Sequence, residues 1–170
     1  HTRPDGIWLI TYRRATGQAT FTYEQAVEEA LCFGWIDGQA KRLDDERTML
    51  WYAPRRAGSV WAKSNKARVA RLVADGRMTP AGQAKIDAAK ADGSWSLLDS
   101  VDNLEVPADL AAAFDAYPDA RANFDAFPPS ARRMVLAWIA TAKRPETRAK
   151  RVAETARLAQ ANVRANQPKE

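Results

Sequence analysis

The sequence predicts an α+β fold in which a small antiparallel sheet packed with helices is followed by a helical C-terminal half. Segments rich in aromatic and β-branched residues occur in the first third of the chain, as is typical of strands. Beyond residue 58, apolar residues recur at helical spacing between Pro and Gly breaks. We expect a sheet-containing region over residues 1–95 and a helical region over residues 96–170, with one compact domain built from both as the alternative.

A strand and a helix are predicted at the start of the chain. Gly6–Arg13 is mostly aromatic and aliphatic, which predicts the strand. Thr22 precedes Gln25 by three residues, which is the spacing of a capping box. We therefore expect a helix over Thr22–Phe33, ended by Gly34.

Two more strands, Trp35–Arg42 and Thr48–Ala53, complete the predicted sheet. The dipeptide Asp37-Gly38 is typical of hairpins, so a turn is expected there. Asp44–Glu46 predicts a second turn. Pro54 ends the last strand because it has no backbone N–H to donate to a neighbour.

The rest of the chain is predicted to be helical. Ser59 or Ser64 is expected to cap a helix that Gly76 closes. Thr79-Pro80 is a favourable N-cap and first-turn pair, and predicts the next helix. Ser94–Glu105 is expected to be a linker. Further helices are predicted to begin near Pro107, Pro118, Ser130 and Pro145.

Charge is segregated along the chain, whose formal net charge is +5. Residues 55–77 and 132–151 each carry seven basic side chains and one acid, whereas residues 99–125 carry seven acids and one base. An acidic block between two basic blocks favours pairing within the protein, so a nucleic-acid partner is an alternative that the sequence does not favour. Since no run of 18 apolar residues occurs, no membrane span is predicted.

Few residues suited to catalysis are present. Cys32 is the only cysteine, which excludes an internal disulfide and fits a reducing cytoplasm. The only histidine is His1, so neither a Cys–His pair nor a Ser–His–Asp triad is predicted, and Cys32 is expected to be a small buried apolar residue. Asp37 is a weak candidate for an acid or base. The acids match no metal loop, and neither a metal nor a cofactor is predicted.

Aromatic and basic residues are concentrated between positions 35 and 65. Aromatic faces can stack a planar ligand, and arginine can hold a phosphate or carboxylate through two hydrogen bonds. In the alternative interpretation the tryptophans are core residues and the cations form a solvated rim. Trp61→Ala separates the two, because it weakens binding in the first and unfolds the chain in the second. The predicted ligand-binding residues are Trp35, Asp37, Arg42, Arg55, Arg56, Ser59, Trp61, Lys63 and Asn65.

Four motifs are spread over nearly the whole chain. They are Glu29–Gly38 (EALCFGWIDG), Pro54-Arg55 with Ser59, Trp61, Lys63 and Asn65, Gly76–Gly82 (GRMTPAG), and Ala142–Arg148 (AKRPETR). In this order they resemble the YdeI/OmpD-associated family of bacterial proteins. Members are described as bacteriocin-protection or envelope-stress proteins, so the resemblance implies a resistance role. It implies no reaction, cofactor or catalytic residue.

We therefore expect a cytoplasmic bacterial stress or resistance protein that binds a small anionic or aromatic ligand and is not an enzyme. One alternative is a nucleic-acid-binding module that uses the two basic blocks. Another is an enzyme of unknown reaction that uses Asp37 as an acid or base. The sequence leaves the oligomeric state open.

Overall fold

The computed structural model of the protein describes residues 3–19 and 21–167, which form two compact units. The first unit ends at Ser96, and the second begins at Leu97. The described part of the first unit holds a three-stranded antiparallel sheet and α-helices, whereas the second is built from helices. The predicted α+β fold is confirmed.

The sheet contains strands β1 (Ile7–Tyr12), β2 (Trp35–Arg42) and β3 (Arg47–Pro54). Strand β3 lies in the centre and pairs antiparallel with both neighbours. All three strands agree with the predicted ones to within about a residue at each end, which is the usual scatter of element boundaries.

The dipeptide Asp37-Gly38 lies inside β2, so the predicted turn at this position is wrong. The pairing of β2 with β3 changes register between Asp37 and Ala40, as in a β-bulge. Glycine suits this position, because a β-carbon at Gly38 would lie only 3.3 Å from Cδ1 of Trp51. The chain reverses instead at residues 43–46, between β2 and β3.

Two helices of the first unit begin at the predicted caps. In α1 (Tyr23–Cys32), the Thr22 side chain accepts the Gln25 N–H, and the Gln25 side chain accepts the Thr22 N–H. This reciprocal capping box satisfies two donors that the first turn leaves unpaired. In α3 (Pro80–Ala91), the Thr79 hydroxyl is the cap and Pro80 fills the first helical position.

Helix α2 (Lys63–Ala74) has a different start from the predicted one. The expectation that Ser59 or Ser64 caps it is wrong, because Ala62 holds the N-cap position and makes no side-chain hydrogen bond. Ser64 lies within the first turn, where its hydroxyl cannot act as the cap. The helix turns its apolar side inward, and its buried residues are Asn65, Val69 and Leu72.

The core of the first unit lies between the helices and one face of the sheet. Trp61 and Leu72 are its most enclosed large side chains, at 1% and 0% exposure. Burial of this apolar surface is the main term that stabilises such a unit. The buried members are Val27, Leu31, Cys32, Trp35, Tyr52, Trp61, Val69, Leu72, Ile86 and Ala89.

The second unit is a set of short helices around two longer ones. The predicted linker Ser94–Glu105 is partly wrong, because it contains one helical turn. Ser130 does not cap its helix either. Pro128 holds the N-cap position and Pro129 the first helical position, which proline favours. The helices are α4 (Asp99–Asp102), α5 (Ala108–Phe114), α6 (Ala120–Ala126), α7 (Pro129–Ala140) and α8 (Pro145–Gln160).

Helix α8 supplies small residues to the second core. Val152, Ala156 and Ala159 are buried there, whereas Val163 lies beyond the helix and is 47% exposed. The aromatic part of this core comes from Phe114, Phe124 and Phe127, whose neighbouring rings pack at centroid distances of 5.4 and 6.0 Å. Across residues 3–19 and 21–167, no helix combines the length and the apolar character needed to cross a bilayer.

Candidate functional site

The predicted ligand-binding residues do not form a single site. Arg55, Arg56, Ser59 and Trp61 line one small cavity in the first unit. The remaining predicted residues, Trp35, Asp37, Arg42, Lys63 and Asn65, are not among the residues that line it.

The cavity lies between the loop that follows β3 and the C-terminal end of α3. Its volume is about 90 Å³. A water molecule occupies about 30 Å³ in the liquid, so the cavity has room for roughly three waters or for one small polyatomic ion. Besides the predicted residues, its lining includes Gly58, Lys85, Asp92 and Ser94.

Asp92 ties the loop to the end of α3. Its Oδ2 accepts the backbone N–H of Gly58 at 3.0 Å, and its Oδ1 accepts the backbone N–H of Ser94 at 2.9 Å. Gly58 has a φ of 69°, a left-handed conformation that glycine adopts without strain. The loop is held at its other end by the N–H of Arg55, which donates to the carbonyl oxygen of Gly34 at 2.9 Å.

Arg55 is the central residue of this cavity. It is only 3% exposed, and its Cζ lies 3.6 Å from the centroid of the Trp61 ring. Nη1 donates to the carbonyl oxygen of Val60 at 3.2 Å. Nε and Nη2 are buried and have no hydrogen-bond partner among the described residues. Two unpaired donors in the interior cost folding free energy, because a buried donor loses its hydrogen bonds to water.

Burial lowers the pKa of the Arg55 guanidinium to about 10, and the charge of Asp37 opposes this shift. Since this pKa lies well above neutral pH, Arg55 stays positively charged. The exposed side chains of Arg56 and Lys85 add two cations to the lining, and Asp92 adds one anion. The cavity therefore has a net positive charge that favours an anion.

The Trp61 ring belongs to the core. It is 1% exposed, with Arg55 stacked on it and the Trp95 ring at a centroid distance of 4.9 Å. A cation over an indole face is a favourable contact, and it is stronger when both groups are desolvated. The ring positions the guanidinium, and the polar chemistry of the cavity is that of Arg55.

Trp35 lies in a second, larger depression. It is 8% exposed and lines an apolar groove of about 640 Å³ between β1 and α1. Ala26 and Ala30 stand one turn apart on the α1 side of this groove, and their small side chains leave it open. The other apolar lining residues are Ile7, Leu9, Phe21, Phe33 and Tyr52.

Asp37 is engaged as a hydrogen-bond acceptor. The Tyr23 hydroxyl donates to its Oδ2 at 2.7 Å. Burial, followed by this hydrogen bond, raises the pKa of Tyr23 to about 12. Across the sheet Asp37 is the partner of Tyr52, whose buried hydroxyl lacks a hydrogen-bond partner within the described residues.

The last three predicted residues, Arg42, Lys63 and Asn65, either contact residues close to them in the sequence or are exposed. Arg42, near the β2–β3 turn, donates through Nε to the carbonyl oxygen of Asp44 at 3.1 Å and pairs with Asp45. Lys63 is the exposed first residue of α2. Asn65 is buried, and its Oδ1 accepts Nη1 of Arg68 at 2.9 Å.

The basic side chains of α2 and of the turn after it bind the carboxylates of α1. Arg68 grips Glu24 with two parallel bonds, of 2.9 Å from Nε and 2.7 Å from Nη2. Arg77 donates to Glu28 at 2.8 Å, and Arg71 contacts both carboxylates. These hydrogen bonds lower the pKa values of Glu24 and Glu28. Much of the first basic block is therefore neutralised inside the unit.

Two protein-family models match different parts of the chain. Residues 1–85, half of the chain, match the model of a family described as a domain of unknown function, DUF8412. The chain belongs to this family. A second family model, described as "Bacteriocin-protection, YdeI or OmpD-Associated", matches residues 103–162. The YdeI/OmpD-associated resemblance is thereby confirmed for residues 103–162, which lie in the helical second unit.

Neither the curated proteins nor the solved structures include a match to this chain. Of the four motifs that carry the resemblance, Ala142–Arg148 falls within the segment of the bacteriocin-protection type. The other three lie within the DUF8412 segment. The lining of the cavity extends beyond the DUF8412 segment. Arg55 and Lys85 lie within residues 1–85, whereas Asp92 lies outside them.

The lining residues with polar side chains that the sequence did not predict are Lys85, Asp92 and Ser94. The sequence contains a signal for Asp92. An aspartate that accepts the N–H two residues further along forms an Asx turn, and Asp92-Gly93-Ser94 directly after a helix is suited to that turn. Nothing in the sequence brings Lys85 to Arg55, since the two meet only through the packing of α3. Cys32 is a buried core residue and does not line the cavity, and His1 lies outside the described residues.

Proposed function

We propose that the protein is a cytoplasmic, non-enzymatic stress or resistance protein that binds a small anionic ligand through Arg55. The observation that carries this proposal is the buried Arg55 guanidinium, whose Nε and Nη2 lack partners beside a cavity of about 90 Å³. The bacteriocin-protection description of the second unit supports the resistance role.

The geometry of arginine explains why an oxyanion suits this cavity. The Nε–H and the adjacent Nη2–H lie on the same edge of the planar guanidinium, and together they can donate two parallel hydrogen bonds to two oxygens. Nη1 is already occupied by the carbonyl oxygen of Val60. Nε and Nη2 are closed to solvent, so the guanidinium has to turn toward the cavity for an oxyanion there to satisfy both donors and neutralise the buried charge.

An anionic ligand fits better than an aromatic one. The ring of Trp61 is covered by Arg55 and Trp95, so stacking on it would require these contacts to separate. The cavity is also too small for an indole or a nucleobase, with space for about three waters. Its exposed cations, Arg56 and Lys85, would attract an anion from solution.

A binding role without catalysis agrees with the chemistry of the central residue. An arginine whose pKa is about 10 keeps its proton at neutral pH, so it holds an anion and does not act as a base. Saturating ligand would then act on the protein by stabilising the folded first unit, because the ligand binds only when Arg55 and its cavity are formed.

The test is calorimetric titration with sodium phosphate, sulfate and acetate at a constant ionic strength kept with sodium chloride. We expect saturable binding of at least one of these anions to the wild-type protein and its loss in Arg55→Met. Methionine keeps an apolar side chain against Trp61 but donates no hydrogen bond. Arg42→Met is the matched control, because it removes the same charge from the exposed end of the hairpin.

We expect the control variant to bind like the wild type. The proposal would be wrong if the wild type shows no saturable binding of any of the three anions. It would also be wrong if Arg55→Met and Arg42→Met lose affinity equally, because the anion would then respond to net charge and not to the cavity.

A further inference from the structure

The cavity that holds the cation Arg55 also contains a carboxylate. Asp92 lines the same 90 Å³ space, and both of its oxygens are anchored by backbone N–H groups at 2.9 and 3.0 Å. A fixed acceptor beside fixed donors restricts what can bind. We infer that the ligand is a phosphate group that still carries a proton, an inference that rests on the anion site proposed above.

The Asp92 carboxylate is available as an acceptor. Each oxygen of an ionised carboxylate can accept two hydrogen bonds, and each Asp92 oxygen accepts one from the backbone. Hydrogen bonds from the Ser94 side chain, the Ser94 N–H and the Gly58 N–H lower the pKa of Asp92, so it is ionised at neutral pH. It can therefore receive a hydrogen bond from a ligand but cannot donate one.

The charged groups that line the cavity are Arg55, Arg56, Lys85 and Asp92. An anion with no proton, such as sulfate or acetate, would be attracted by the three cations. Its negatively charged oxygens would, however, lie next to the Asp92 carboxylate and be repelled by it. A protonated phosphate presents acceptor oxygens to Arg55 and a P–O–H donor to Asp92. It is a common anion that matches both groups at neutral pH.

The size of the cavity limits how much of the ligand is enclosed. A volume of about 90 Å³ accommodates one phosphate group. The alcohol part of a phosphomonoester would have to extend outward past the exposed side chains of Arg56 and Lys85. Inorganic phosphate and the terminal phosphate of a small metabolite thus share the chemistry recognised here, and pH distinguishes them.

The first experiment compares inorganic phosphate with sulfate by calorimetry at pH 7.5 and constant ionic strength. We expect the wild type to bind phosphate at least about tenfold more tightly than sulfate, which corresponds to one hydrogen bond to a charged group. In Asp92→Asn we expect sulfate to gain affinity and the preference to shrink. The asparagine keeps one acceptor oxygen and presents an N–H₂ donor in place of the other.

Asp87→Asn is the matched control. Asp87 lies on the same helix, where it accepts a hydrogen bond from Gln83 at 2.8 Å and does not line the cavity. The variant makes the same change in net charge as Asp92→Asn, so we expect it to keep the preference of the wild type. If Asp92→Asn fails to fold, the preference measured in the wild type still tests the inference.

The second experiment identifies the source of the phosphate group with phenyl phosphate at pH 5 and pH 8. A phosphomonoester loses its last proton near pH 6, whereas inorganic phosphate keeps one through pH 8. We expect phenyl phosphate, if it enters the cavity, to bind at pH 5 and to lose affinity by pH 8. Inorganic phosphate is expected to bind at both pH values. Dimethyl phosphate, which has no proton in this range, should not bind.

Equal affinity of the wild type for phosphate and sulfate would overturn this inference and leave the anion site of Arg55 intact. Phenyl phosphate binding equally well at pH 5 and pH 8 would also overturn it, because the dianion has no proton for Asp92. The absence of binding by phosphate, sulfate and acetate alike would overturn both the inference and the proposed function.

Discussion

Arg55 combines two properties that rarely occur together in one side chain: it is almost fully buried, and two of its donor nitrogens lack partners among the described residues. Its hydrocarbon stem and guanidinium plane pack on Trp61, which offsets part of the cost of burial. The rest of that cost can be recovered by a ligand. The side chain is thus both a core element and a candidate binding group, and substitutions at neighbouring positions should separate these two roles.

Trp61→Ala is expected to destabilise the first unit. The ring is 1% exposed and contacts both Arg55 and Trp95, so truncation would leave a cavity and expose part of the core. Such truncations cost about 3 to 5 kcal/mol. Urea unfolding monitored by circular dichroism measures the loss, and Trp61→Phe should cost less. A truncated protein that keeps wild-type stability would contradict the buried position of this ring.

Gly34→Ala is expected to weaken both the fold and the cavity. Gly34 has a φ of 74°, and a β-carbon there would lie 2.5 Å from Cγ of Lys85 and 3.2 Å from the Ala81 carbonyl oxygen. The left-handed conformation alone costs a substituted residue about 1 to 2 kcal/mol. Because the Gly34 carbonyl oxygen also holds Arg55, the substitution should reduce phosphate affinity as well.

Gly17→Ala is the control for this substitution. Gly17 has a similar φ of 71°, but a β-carbon there would meet nothing within 4 Å. The Gly17→Ala variant should therefore lose only the stability that the left-handed backbone conformation costs a residue other than glycine, and it should keep its phosphate affinity. Thermal unfolding with and without phosphate compares the two variants, and an identical loss in both would show that the Lys85 contact does not matter.

At the scale of elements, α1 and α2 are joined by an ion network. The carboxylates of Glu24 and Glu28 receive hydrogen bonds from Arg68, Arg71 and Arg77. Networks of charges stabilise more than isolated surface pairs, because each cation is already ordered by its other partner. The network lies on the side of α1 that faces α2, and it fixes how these two helices pack.

Glu28→Gln is expected to make the protein less sensitive to acid. Hydrogen bonds from Arg71 and Arg77 lower the pKa of Glu28 below its ordinary value of 4.5. A group whose pKa falls on folding stabilises the folded state above its unfolded pKa, and this contribution is lost as the pH falls toward the folded pKa. Glu28 therefore stabilises the protein at pH 7, and its contribution declines as the pH falls below about 4.5 toward the lower pKa of the folded state.

The measurement is the urea midpoint of the wild type and of Glu28→Gln at pH 7 and pH 3.5. The variant should be less stable than the wild type at pH 7, and the difference should shrink at pH 3.5. Glu29→Gln removes the same charge from an exposed neighbour, and it should change neither midpoint appreciably. A constant difference between wild type and Glu28→Gln at both pH values would contradict the network.

The element boundaries of the first unit could be predicted where the signal is local. The capping box of Thr22 and Gln25 and the Thr79-Pro80 pair depend only on neighbouring residues, and both predictions are confirmed. Asp37-Gly38 has the composition of a turn but lies at a register shift inside β2, where the Trp51 side chain of β3 lies against Gly38. A contact between strands is not encoded in the dipeptide itself, so local chemistry could not reveal it.

In the molecule as a whole, acidic and basic side chains pair within each unit. In the first, the arginines of α2 meet the carboxylates of α1. In the second, the acidic and basic blocks pair with each other, as in Arg148 with Asp109 at 2.7 Å and Arg133 with Asp102 at 3.4 Å. The sequence predicted internal pairing of the blocks, and the structure adds that the first basic block uses acids of α1.

This pairing predicts weak binding of nucleic acid. A cation that is already bound to a carboxylate releases few counterions from a phosphate backbone, so affinity for a 20-base-pair duplex at 150 mM salt should be no tighter than nonspecific binding, about 10⁻⁶ M. Fluorescence anisotropy at 50 and 200 mM salt measures it. A tight complex that weakens by about 10³-fold or more over this range would contradict the account.

The candidate site could be predicted only in part from the sequence. The density of arginine and tryptophan between positions 35 and 65 predicted one site, and four of its nine residues, Arg55, Arg56, Ser59 and Trp61, line a common cavity. Trp35 and Asp37 are close to this loop in sequence but have their own surroundings, because they lie on a different strand. Lys85 and Asp92 come from α3, so only the packed unit brings them to Arg55.

The free energy of unfolding as a function of phosphate concentration, at constant ionic strength, tests whether Arg55 binds the anion. For the wild type we predict a rise that follows ligand linkage and reaches about 2.7 kcal/mol at a hundred times the dissociation constant. For Arg55→Met we predict no such rise, and a stability without phosphate that is within about 1 kcal/mol of the wild type or above it, since a buried unpaired charge has been removed. Equal responses in the two proteins would contradict the assignment of Arg55 as the anion-binding residue, and a wild type that phosphate does not stabilise would contradict the inference that the ligand is a protonated phosphate.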